Sequence, residues 1–279
     1  MLLKLNEQNY KMHNHFPNEF FYQVFSLLVG FLVVHAVFVT IIRPQAETHL
    51  QHEHQQMKQD RHYVEKRNFY VVVRDYEQEA CFILMFWALA IMSYKGFIVW
   101  QQQKQMSQDL LQLPDGLPIG PEDSNELIKR LNELPQRMTH YLLPKALKVS
   151  IQRFSATHNV HDAANAVRDV CESESDRLES ELSTIRYIAW AIPSVGFIGT
   201  VRGIGDALAQ ANRAMEGDIT GVTQSLGVAF NSTFIALVIS IVLMFFIHQL
   251  QLRQERLVLD TEAHCDSQLI SRLKVPLNL

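Results

Sequence analysis

Three cysteines, Cys81, Cys171 and Cys265, are all that a chain of 279 residues contains, and none of them lies in a CxxC pair. Their wide and odd spacing excludes a disulfide framework and a thiolate metal site, so they read as buried or reduced thiols. Positive charge is not in excess either: 25 Lys and Arg stand against 29 Asp and Glu, a formal net charge of -4. With no basic footprint and no polybasic cluster beside an apolar run, nucleic-acid binding and lipid-headgroup capture have no electrostatic basis. A Walker loop, a nucleophile elbow, HExxH and GxGxxG are all missing, so the sequence makes no positive case for an enzyme and names no cofactor. Strand-period alternation and internal repeats are missing too, which argues against an inverted-repeat solute transporter.

What is there is segregated hydrophobicity. Apolar residues make up 48% of the chain, yet the 23 residues from Phe20 to Ile42 carry no formal charge, nor do the 34 between Asp218 and Arg253. About 20 apolar helical residues cross a bilayer core, so a purely soluble fold is excluded. The predicted fold class is all-α: a polytopic membrane protein with four transmembrane helices and long cytoplasmic helical extensions.

The first span covers 20–42, closed by Arg43-Pro44, where proline disfavours a continuing helix. It is too long for a signal-peptide core and no small-x-small cleavage site follows, so it is expected to stay as an anchor. The second, 80–100, ends in aromatics beside Lys95, which can snorkel to the interface. The third, 184–209, is rich in glycine. The fourth, 222–250, reaches about 43 Å as a helix and should project beyond the core.

Between these lie a polar helical connection over 43–79, a cytoplasmic helical region over 101–183, a short connection over 210–221 and a tail over 251–279. A turn-rich start (Pro114-Asp115-Gly116, Gly120-Pro121) and a capping box from Asp123 to Glu126 predict a helix over about 124–141. A second is predicted to start near Asn159, with Asp162 reaching back, and to run straight into span three. Nine basic residues in 101–183 and four in the tail place both, with the N-terminal segment 1–19, in the cytoplasm. That orientation exports 43–79 and 210–221 to the periplasm.

The most informative stretch is Pro193 to Gly203, PSVGFIGTVRG. Gly196, Gly199 and Gly203 fall three and four residues apart on one helix face, and Gly199/Gly203 make a GxxxG that admits another backbone. Span four carries a matching stripe of Ser225, Ala229, Ser232, Thr233, Ala236 and Ser240, opposite Phe234, Leu237, Ile241 and Phe245. Plain helix packing would explain such stripes by itself.

The two stretches together, PSVGFIGTVRG and the later Thr233-Phe-Ile-Ala-Leu-Val, resemble the paired transmembrane motifs of the MotA/TolQ/ExbB proton channel family, over roughly residues 80–250. The second motif follows the family rhythm less closely than the first. The resemblance implies an ion-driven energy transducer of the bacterial inner membrane. Five copies would surround a dimer of a single-span partner like ExbD, TolR or MotB, whose membrane aspartate carries the ion. Protons are the implied coupling ion, with sodium as the alternative. Carried over by residue, the threonines lining the path are Thr200 and Thr233. A hydroxyl both donates and accepts, so it can solvate a water chain or a carboxylate without placing charge in lipid.

This sequence departs from the family in two places. Arg202 stands where ExbB and TolQ carry an aromatic or aliphatic residue, with Asp206 four residues on. Two readings stay open: an Arg202–Asp206 pair on one face, or a gate or partner contact at the outer mouth. The other departure is span one with its long connection. A four-span layout is similar to MotA, whose first two spans are joined tightly, so the chain fits neither branch and the load is not defined.

Three further features have a bland and a sharp reading. His35 in span one is a packing histidine or a proton relay. His49, His52, His54 and His62 form a solvated polar helix or a metal site. The run Glu172, Glu174, Asp176, Glu179 and Glu181 is a solvated face or a ring of charge at the mouth of a pentamer. The rival to the transducer as a whole is a non-conducting scaffold assembled through its small-residue interfaces.

Overall fold

The computed structural model describes residues 15–59, 68–106, 110–111, 118–135 and 138–274. The N-terminal residues 1–14, the Pro114-Asp115-Gly116 turn and His62 lie outside the described residues, as does the side chain of His54. Nine α-helices occur among the described residues: α1 His15–Val37, α2 Arg43–Gln59, α3 Phe69–Val73, α4 Tyr76–Met106, α5 Ser124–Asn132, α6 Leu142–Thr157, α7 Val160–Ala209, α8 Ala211–Met215 and α9 Thr220–Gln268. There is no strand among them, only a single parallel bridge between Ile119 and Leu273. Four helical stretches are long and apolar enough to cross a membrane: Phe20–Glu53, Tyr76–Met106, Val160–Ala209 and Thr220–Arg272. The chain is therefore an all-α, multi-pass membrane protein.

The chain divides into two compact units. The first comprises the described residues up to Ile91 together with Tyr187–Leu243, and holds most of the apolar sequence. Here α1 runs against α4, with Trp87 Nε1 donating to the Gln23 carbonyl at 3.0 Å and the Tyr22 hydroxyl to the Ala90 carbonyl at 3.2 Å. Val34, Phe38, Ile42 and Val73 form a small buried cluster, packed by Phe82 and Ile83 of α4.

Arg43-Pro44 does not close the first helix, contrary to the sequence expectation. A π turn, Phe38–Ile42, joins α1 to α2 without a break, and the Arg43 N–H reaches five residues back to the Phe38 carbonyl. Proline is tolerated because it enters at the second position of α2, directly after that wider turn, where its missing N–H is least needed.

The second unit comprises Met92–Arg186 and Met244 onward. Leu127 and Leu131 of α5, Leu147, Ile151 and Phe154 of α6, Val167 and Cys171 of α7, and Cys265 of α9 share its core. The predicted helix over 124–141 ends at Asn132, because Pro135 disfavours helical backbone at the residue before it. Asp123 holds the N-cap position of α5, as expected, but its side chain makes no cap bond to that helix. Pro121 opens a 3-10 turn, Pro121–Asp123, and the Asp123 carboxylate reaches back to accept from the Gly120 N–H at 2.9 Å. Glu126 pairs with Arg130 instead, at 2.7 Å.

The sequence reading passed over α6, whose first free N–H, at Leu142, donates to the Gln102 side chain at 3.1 Å. It stops at His158, which adopts a left-handed φ of 52° and lets its N–H cap the Phe154 carbonyl. The helix predicted from Asn159 does run unbroken into span three. Its cap is Asn159, whose side chain accepts from the His161 N–H at 2.9 Å.

Lys95 does not snorkel. Its side chain is 5% exposed and its ammonium sits 2.7 Å from Glu181. A buried cation needs such a partner, since leaving it alone in a low-dielectric setting is far more costly than the pair. Within the acidic run, Glu174 and Glu181 also hold Arg177, and Glu179 lies 3.5 Å from Arg186.

Candidate functional site: the α7–α9 seam

The small residues read from the sequence face one another. A β-carbon added at Gly196 would overlap the Ala236 side chain, one at Gly199 would lie 2.5 Å from Ser232 Cβ, and one at Gly203 would lie 2.8 Å from Ala229. Only glycine permits this approach at three successive turns of α7. Ala229, Ser232 and Ala236 are accordingly buried, whereas Phe230, Phe234 and Ile241 of α9 and Trp190, Phe197 and Val201 of α7 point outward. The division into a small inner face and a bulky outer face holds along the whole seam.

Thr200 and Thr233 meet in the middle of it, with their hydroxyls in direct hydrogen-bond contact. The Thr233 hydroxyl donates to the Gly196 carbonyl at 3.0 Å. The single hydrogen of Thr200 has three acceptors: Thr233 Oγ1, the Ala229 carbonyl at 3.1 Å and the Gly196 carbonyl at 3.3 Å. More acceptors than hydrogens makes a site that welcomes one further donor, such as a water or a protonated carboxyl.

Pro193 inside α7 has no N–H, which leaves the Ala189 carbonyl without its helical partner. Ser240 of α9 donates its hydroxyl to that carbonyl at 3.2 Å. Ser232 instead bonds within its own helix, to the Val228 carbonyl at 2.9 Å.

Arg202 does not pair with Asp206. Its guanidinium lies 2.7 Å from Glu77 in the first turn of α4, and the Glu77 side chain is only 12% exposed. The Asp206 side chain points outward, and that residue's carbonyl accepts from Gln210. An arginine in an apolar setting pairs with the carboxylate already held out of water, since that one gains most from the match.

Glu77 was not singled out in the sequence, nor was Glu79 two residues on. The Glu79 carboxylate is 7% exposed and takes His35 on one oxygen, at 2.6 Å, and Arg43 on the other. Two carboxylates at the mouth of an apolar run were the available signal. His49 bonds Asn68 at 2.8 Å, and among the described residues no group of three or more His, Cys, Asp or Glu could hold a metal ion.

Residues 137–263 match the model of the MotA/TolQ/ExbB proton channel family. The matched segment contains both sides of the seam, Thr200 and Thr233 included, and begins after α4, later than the 80 read from the motifs. No curated protein and no solved structure matches the chain.

Proposed function

We propose that this chain, a membrane protein whose residues 137–263 carry the MotA/TolQ/ExbB proton channel segment, is the channel-forming subunit of an inner-membrane motor driven by the proton motive force. The observation that carries the reading is the meeting of Thr200 and Thr233 at the closest approach of α7 and α9. A hydroxyl pair with a surplus of acceptors can hand a proton along, or steady a partner's carboxyl, without a formal charge of its own. In this reading five copies surround two single-span partners bearing a membrane aspartate. Protons, or sodium in their place, reach that aspartate past the threonines. Segments 43–79 and 210–221 face the periplasm, and 101–183 with the tail face the cytoplasm.

The second reading, a non-conducting scaffold, draws on the same bonds. Each threonine hydroxyl reaches a backbone carbonyl of the seam, as a purely structural tie between helices would. Thr233→Val, which keeps the shape and removes the hydroxyl, separates the two. In proteoliposomes holding the chain with its co-purified partner, the transducer reading expects proton flux to fall at least tenfold with assembly intact. Unchanged flux, or no flux in the parent, leaves the scaffold.

A further inference from the structure

We propose that His35, Glu79 and Arg43 form a second proton-binding site, in which the exposed imidazole of His35 delivers protons to the buried Glu79 carboxylate. The site lies outside the segment that matches the family model, and it does not depend on conduction past the threonines.

The site is built, not incidental. Two turns of α-helix take about 7.2 residues, so positions eight apart normally drift off a common face. The π turn Phe38–Ile42 lies between His35 and Arg43, and its i→i+5 bonding adds about one residue to the turn. His35 and Arg43 thereby return to the same face and close on the two oxygens of one carboxylate. Phe31 stacks on the His35 ring with planes 4° apart, and Tyr76 lies under the Arg43 guanidinium at 4.3 Å. Both partners of Glu79 are thus also held by an aromatic ring.

Exposure assigns the roles. The His35 side chain is 48% exposed and that of Glu79 7%, and Arg43 and Glu79 flank the apolar runs of the first two spans, so the ring is the part of the site open to a proton arriving from the membrane boundary. Glu79, being acceptor-only when ionised, receives the Nδ1–H of neutral His35. A proton from the medium bonds to Nε2; the Nδ1–H bond breaks and an O–H bond forms on Glu79 Oε1. The ring is left neutral in its other tautomer and no electrons change hands. Among the described residues the ring bonds Glu79 of α4; Arg43, on its own helical stretch, meets the same carboxylate, and Tyr76 of α4 touches Arg43. Protonated Glu79 no longer neutralises Arg43, so each proton bound weakens the tie of α1 and α2 to α4.

The test is infrared difference spectroscopy of the full chain in lipid bilayers after a drop in pH. The expected result is a carboxylic acid C=O band that Glu79→Gln abolishes and that His35→Gln slows by about tenfold or more. The amide band of the same spectra reports helix content. If Glu79→Gln loses helix, Glu79→Asp replaces it and should move the band. A spectrum without such a band, a band indifferent to the Glu79 variants, or an unchanged rate in His35→Gln would overturn the proposal.

Discussion

The Ser240 hydroxyl donates to the Ala189 carbonyl, the one backbone acceptor in α7 that Pro193 deprives of its helical N–H. A proline inside a membrane helix is tolerated where a neighbouring side chain re-satisfies the freed group. Ser240→Ala therefore removes a structural bond and not a pathway group. It should destabilise the seam by about 1 kcal/mol, read as a lower unfolding midpoint in mild detergent. An unchanged midpoint would mean that Ala189 finds another donor.

Glycines of the chain are not equivalent. Gly196→Ala drives a methyl into Ala236, while Gly227 has nothing within 4 Å of an added β-carbon. Overpacking of this kind costs about 1–3 kcal/mol, whereas alanine at Gly227 is expected to be neutral or to gain about 0.5–1 kcal/mol from helix propensity. Melting temperatures of the two variants should move in opposite directions or differ by several degrees.

The partner of Arg202 can be read by double-mutant cycles. Arg202→Gln combined with Glu77→Gln should show coupling of about 0.5 kcal/mol or more, and combined with Asp206→Asn none. The Glu77→Arg, Arg202→Glu exchange should recover part of the stability that either single reversal loses. Coupling to Asp206 instead would restore the pairing inferred from helix spacing alone.

The thiols of the second unit predict an alkaline limit. Burial, with Glu262 and Glu174 nearby, pushes Cys171 up to about 11, and burial raises Cys265 too. A group whose folded pKa is raised lends stability that is whole below its unfolded value, here 9.0, and is lost as pH climbs through the folded one. Stability should fall between pH 9 and about 11 by up to about 1.4 kcal/mol per pH unit for each thiol. Cys171→Ala should flatten part of that slope. Both thiols should resist maleimide at pH 8 until the chain is denatured.

Much of this was legible in the sequence because it is local. Apolar length marked the four membrane-crossing helices, two of them free of charge, and helical spacing put Gly196, Gly199 and Gly203 on one face and Ala229, Ser232 and Ala236 on another. The stripes meet because each offers the other small residues where a β-carbon on the glycines would clash. With the stripes in register, Thr200 and Thr233 came together as well.

Partners between helices were not local, and the tertiary structure alone decided them. Arg202 chose Glu77 over Asp206, Lys95 chose Glu181 over the interface, and Ser240 found Ala189. Each choice depends on the rotation and register of helices far apart in the chain, and one residue of slip turns a side chain by about 100°. The π turn makes the point within a single helix: it re-aims Arg43 onto the carboxylate that His35 already holds. Composition and period determine which faces are buried, while the pairing of charges on those faces is set by energies of a few kcal/mol that only the assembled helices express.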